Sequence, residues 1–161
     1  MVFLQSSDPF LSINPSRQSN LKLIRWSFEL VGRPVEWLTN KLGSLIDHSS
    51  FKGGIYLFNS SAFALNRLAT GQLDAYIDIA GRLVDDGDKE SHLPNSSNHN
   101  QVMGLFAYDI AGAYLVAKEC QCIITDSQGD SLENTSLVSN KILTCVAASN
   151  LELHQQLMTW I

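Results

Sequence analysis

Residues 105–132 read LFAYDIAGAYLVAKECQCIITDSQGDSL, and the fold turns on how they are read. The apolar run 110–117 has the length and composition of a buried helix. The following "CIITD" is a short β-branched strand, and "SQGD" is a turn. A helix leading directly into a buried strand is a unit of a layered α/β protein. The helix opens on one aspartate, Asp109. Aspartate is a favoured residue at a helix start, where it meets unpaired N–H groups and the positive end of the dipole. The same place would let its carboxylate serve a ligand. On this stretch alone both readings stand.

Working outward, Leu73, Ala75, Ile77 and Ile79 alternate with Asp74, Tyr76 and Asp78, which predicts a strand with one polar face. Before it, "NSSAFALNRLATG" predicts a helix capped by Ser60 or Ser61, running to about Thr70 and stopped by Gly71. "FKGG" is a turn, and "IYLF" at 55–58 reads as a short buried strand. Further upstream, Leu21, Ile24, Phe28 and Val31 recur at helical spacing, ending near Gly32. Pro34 suits the first turn of a second helix through Val35, Leu38, Leu42 and Leu45. Downstream, "ILTCVAA" at 142–148 is a buried strand, and Asn150 caps a last amphipathic helix to Ile161. Residues 1–18 show no period and read as an irregular start. Residues 84–101, with His92 and His99, are polar and aperiodic and read as an exposed, mobile insertion. The whole 1–161 is expected to be one domain of layered α/β type.

Composition narrows the function. With a net charge of −5 and scattered basic residues, the chain lacks the clustered cations that nucleic acid or an anionic membrane surface requires. No apolar run is long enough to span a bilayer, and "MVFLQSSDPF" does not read as a secretory signal. Three cysteines, Cys120, Cys122 and Cys145, an odd number, point to a reducing, cytoplasmic setting. "CQC" lacks the second pair that a zinc site needs, so its thiols read as small buried side chains at a helix–strand junction.

Asp78 and Asp109 together invite chemistry. Ligands of α/β sheets gather outside the carboxyl ends of strands, where helix N-termini also point. Two carboxylates there would suit a hard cation such as magnesium.

Three segments in register resemble the inositol monophosphatase family. "DIAGAYLVAKECQCIITDSQGDSL" is similar to its second signature, an aromatic residue and D-x-A-x-G leading into an apolar helix and a strand ending in T-D. "SSAFALNRLATGQLDAYID" is similar to its G-S-A-A-L-x-L-x-x-V-A-x-G-x-x-D-A-Y segment, and "LTCVAASNLELHQQLMTWI" to its closing strand and helix. The resemblance implies the C-terminal domain of that fold, a mixed sheet with helices on both faces. It implies magnesium-dependent hydrolysis of inositol monophosphate or a related sugar phosphate. The family's metal-binding aspartate falls on Asp109, its acidic residue for a substrate hydroxyl on Asp78, and its helix-mouth residues on Ser60 and Ser61.

The departures are specific. Asn59 stands for the usual glycine, Tyr108 for a common tryptophan, and Gln121–Cys122 for Gly-Gly. The insertion is absent from compact members. The family's D-P-[IL]-D-G-[TS] and glutamate-pair ligands are missing: "SDPFLSI" has Asp8 and Pro9, but Leu11 replaces the second aspartate. Magnesium is therefore expected to bind this chain weakly or not at all. The chain is expected to be inactive without a polypeptide carrying the N-terminal half. The alternative is a non-catalytic interaction module or a decayed fragment pairing with a full-length relative; the candidate partners are an N-terminal-half polypeptide or a second copy of the chain.

Overall fold

The computed structural model describes residues 14–85 and 104–161, without side chains at 84 and 85. The expected irregular start through 13, most of the expected insertion, the two histidines within it and "SDPFLSI" lie outside the described residues. In chain order the elements are β1 (Arg25–Phe28), α1 (Val35–Ser49), β2 (Gly54–Tyr56), α2 (Ser61–Ala69), β3 (Ala75–Asp78), α3 (Ala80–Asp85), α4 (Ala107–Glu119), β4 (Ile123–Thr125), β5 (Cys145–Ala148) and α5 (Leu151–Leu157).

The strands form one sheet in the order β2-β1-β3-β5-β4. β1 runs parallel to β2 and β3, whereas β5 runs antiparallel to β3 and β4. The sheet is mixed, as expected, and both of its faces are covered. Tyr76, Cys145 and Ala147 face Leu65, Leu68, Ile110 and Ala113 of α2 and α4. Trp26, Ile77 and Val146 face Leu38, Leu42, Leu45 and Leu153 of α1 and α5. Side chains alternate across a strand, so one short run feeds both cores.

Double coverage explains where the sequence misled. The helix expected through Leu21, Ile24, Phe28 and Val31 is instead β1. Ile24, Trp26 and Phe28 are alternate positions on one face, and an interior parallel strand reads as a nearly continuous apolar run that helical spacing also fits. The polar face expected for β3 is not solvated: Asp74, Tyr76 and Asp78 are all buried. Asp74 takes the Arg25 backbone N–H at 2.6 Å and its Nε at 3.1 Å, which fastens β1 to β3. "IYLF" is not a buried strand. Among the described residues β2 pairs only with β1, at the sheet edge, and Tyr56 and Leu57 are exposed. The last helix stops at Leu157 rather than Ile161, and Pro34 occupies the position just before α1, not its first turn.

The caps follow the expected chemistry. The Ser60 hydroxyl accepts from the Phe63 N–H, Gly71 takes φ +72° past α2, and Asn150 accepts from the Leu153 N–H at 2.9 Å. All three cysteines are free thiols; Cys122 and Cys145 are buried, and burial pushes the Cys122 thiol up to about 12. Among the described residues no helix is long and apolar enough to cross a membrane.

Candidate functional site

Topology brings the sequence-predicted residues to one end of the sheet. β1, β2 and β3 are mutually parallel, so their carboxyl ends lie together. α2 begins just beyond β2, which puts Ser60 and Ser61 at that end. Leu105 bridges Leu143, two residues before Cys145, and Cys145 is the register partner of Asp78. The start of α4, with Asp109, therefore stands at the same end. From there α4 descends to the opposite end, where Cys120 and Cys122 turn the chain into β4.

The mouth of α2 is set by backbone as much as by side chains. Asn59 has φ +52°, the left-handed conformation that glycine adopts freely and asparagine tolerates better than most residues. Ser60 caps the helix through its hydroxyl, at 3.4 Å from the Phe63 N–H. The Ser61 hydroxyl accepts from the Tyr76 hydroxyl at 2.7 Å, joining the helix mouth to β3.

Asp78 ends β3 and is only 2% exposed. Its Oδ2 takes Arg33 Nη2 at 2.6 Å, and its Oδ1 takes the Ala80 N–H at 2.9 Å. Burial pushes its carboxyl above the usual range, against the opposing pull of Arg33 and the Ala80 N–H. Arg33 comes from the β1–α1 turn, where Gly32 at φ +73° reverses the chain. Beside them Glu29 is 6% exposed; burial, then the Asp78 charge, raise its carboxyl, and Arg33, Tyr76 and the Ser60 N–H pull it back. Sequence reasoning missed Glu29 and Arg33 because it placed Glu29 in a helix where the chain forms β1 and its following turn, and left Arg33 in the link after that helix. The signal was present in "IRWSFE", where Glu29 continues the polar alternation of Ser27.

Asp109 is the third residue of α4 and is exposed. Its Oδ2 accepts from the Phe106 N–H at 3.0 Å, and its own N–H donates to the Phe106 carbonyl. The bond expected of a simple cap, from Ala111 or Gly112, is not formed. A carboxylate at the third helical position reaches back to the residue before the helix, as in a capping box. Among the described residues, Asp109 Oδ1 has no hydrogen-bond partner and no group of three His, Cys, Asp or Glu side chains is placed to hold a metal.

No family model matches the chain, and no curated protein does. Solved structures do. A hypothetical protein from Pyrococcus horikoshii, described as having similarities to inositol-1 monophosphatase, matches at 22% identity with a TM-score of 0.61, over 92% of this chain and 46% of its own. The extragenic suppressor protein SuhB of Bartonella henselae matches at 17% identity and 0.62, over 91% and 44%. Inositol monophosphatase from Anabaena matches at 14% and 0.62, over 91% and 46%. The fold is thus that of about half of each of these chains, and this chain spans less than half their length.

Proposed function

We propose that this chain is the C-terminal half of a phosphatase architecture of the inositol monophosphatase type, contributing one side of a site for an inositol or sugar phosphate. The observation that carries the reading is the convergence of Ser60, Ser61, Asp78 and Asp109 at the strand ends of a fold shared with half of those structures. Asp109 presents an exposed carboxylate at a helix start, a position suited to share a magnesium ion. Asp78 and the α2 mouth lie on the substrate's hydroxyl side.

The described residues do not by themselves fit a bound magnesium. It demands near-octahedral oxygen coordination and is held by carboxylates together with substrate phosphate and water. One exposed aspartate, with no cluster around it, leaves that ion to water. The remaining ligands would come from outside the described residues, and no chemical step is assigned to the described residues alone. Its free thiols fit a reducing, cytoplasmic location.

One test separates the outcomes. The chain alone should show no magnesium-dependent hydrolysis of inositol monophosphate or fructose 1,6-bisphosphate. Turnover should appear on adding a polypeptide that carries D-P-[IL]-D-G-[TS], and Asp109→Asn should abolish it. Turnover by the chain alone, lost in Asp109→Ala, would overturn the half-site reading.

A second reading, a non-catalytic interaction module, is favoured by the outer surface of α4. That helix is apolar on both sides: Ile110, Ala113 and Ala117 are buried, while Leu115 is 63% exposed and Val116 47%. Helices apolar all round belong in the interior of larger assemblies. Beside α4 runs a groove of about 500 Å³ between Ala111, Tyr114, Leu115 and the segment with Leu132 and Leu137. A complex that forms with the added half or as a homo-oligomer yet never turns over substrate would favour this reading.

A further inference from the structure

We propose that the groove beside α4 is a binding site for a small uncharged amphiphile, an aliphatic chain ending in a hydroxyl whose oxygen takes the Tyr114 O–H. None of Ser60, Ser61, Asp78 or Asp109 lines this groove, so its occupant is a ligand beyond both readings of the function.

One stripe of α4 makes the first wall. Ala107, Ile110, Ala111, Tyr114, Leu115 and Lys118 line the groove, at the three- and four-residue spacing that puts side chains on one side of a helix. From Ala107 to Lys118 the stripe runs for about 16 Å at the helical rise. Residues 132–135 and 137 with Leu143 make the facing wall, and the space between the walls is about 500 Å³. That is the size of a small-molecule site. The walls are largely aliphatic, and Leu115 and Leu137 are exposed. An aliphatic occupant takes this surface out of water.

The polar groups define the head of the ligand. Tyr114 is 8% exposed, and its hydroxyl is buried with no partner among the described residues. Buried polar groups are nearly always paired, so this hydroxyl calls for an acceptor. Lys118, one turn on, lies 5.7 Å from the Tyr114 ring centroid. Its ammonium pairs with Glu133 of the facing wall, so an ion pair bridges the groove beside Tyr114. Both of these side chains are exposed, and such pairs contribute little. The bridge can therefore part to admit a ligand to the hydroxyl. Because Lys118 and Glu133 balance each other, a charged head would leave one of them without its partner. A ligand hydroxyl needs no such exchange. It accepts from Tyr114 and donates to Asn134 or Thr135, which also line the groove.

The probe is 1-octanol, added to the full chain at a dilution where it is monomeric, with carbon-13-labelled methyl groups. Binding should saturate and move the Leu115, Leu132 and Leu137 methyl resonances, leaving those of Leu38 and Leu45 on α1 in place. Tyr114→Phe should weaken binding about five-fold, the share of one hydrogen bond. The same variant should keep or raise the urea midpoint of the free chain, because it removes an unpaired buried hydroxyl. Ala111→Phe, which fills the groove and keeps the hydroxyl, should abolish the shifts. Octanoate should bind more weakly than 1-octanol. Resonances that drift without saturation, or an affinity untouched by Tyr114→Phe, overturn the site. A lowered urea midpoint in Tyr114→Phe reveals a structural partner for the hydroxyl and overturns it too. Tighter binding of octanoate overturns the uncharged head. The Tyr114 comparison stands even if Ala111→Phe fails to fold, and no arm needs turnover or a second polypeptide.

Discussion

At the scale of single residues, Gln121 carries a conformational cost. It has φ +66° just past α4, and its N–H closes the helix on the Lys118 carbonyl at 2.9 Å. Glycine is the usual residue at such a helix end because it lacks the Cβ that strains this conformation. Gln121→Gly should therefore stabilise the chain by about 1 kcal/mol, read as a higher urea midpoint at unchanged slope. Asp109 offers a second test. Its backward bond to the Phe106 N–H needs an acceptor, and asparagine supplies one. Asp109→Asn should cost only a few tenths of a kcal/mol, chiefly the lost attraction to the helix dipole. Asp109→Ala should cost on the order of 1 kcal/mol. Equal losses in the two variants would show that the cap bond contributes nothing.

At the scale of elements, the β1–α1 turn and α5 predict opposite pH dependences. Burial raises the Glu29 and Asp78 carboxyls above their ordinary 4.5 and 3.8. The folded chain then holds these protons more tightly than the unfolded chain. Their contribution to stability is full below the ordinary carboxyl range and is lost as pH rises through the raised folded values. On α5, His154 lies against Thr125, with Nε2 at 3.0 Å from Oγ1, and burial lowers it from 6.5. Here the unfolded chain takes up the proton first, so stability falls as pH drops below about 6.5 toward the folded value. His154→Gln should flatten that acid-side loss in denaturation series across pH, leaving the carboxyl-linked slope in place. Arg33→Met should destabilise at neutral pH by roughly 3–5 kcal/mol, because it leaves the Asp78 charge buried and unpaired. Asp78→Asn in that background should recover part of the loss.

At the scale of the molecule, the apolar outer side of α4 and the adjoining groove predict association. Sedimentation or light scattering should find the chain self-associating with rising concentration, and Leu115→Glu should reduce this without unfolding it. A strictly monomeric wild type, unchanged by added half-polypeptide, would argue against both readings of its function.

Much of this protein was legible from local rules. The limits of α2, with Ser60 before it and Gly71 after it, the junction at Cys120–Cys122 and the Asn150 cap need only neighbours in sequence. Hydrogen-bond chemistry and glycine's freedom operate within a few residues, so pattern alone determined them. The resemblance that placed Asp78 and Asp109 in one site rested on the same local patterns, and topology brings both to one end of the sheet. Tertiary structure alone decided that 25–28 is a strand, that the polar side of β3 is buried, and that Glu29 and Arg33 close on Asp78. A buried parallel strand has no solvent face to mark its period. A charge is tolerated there only because its partner arrives from 45 residues away, a pairing that no local pattern records.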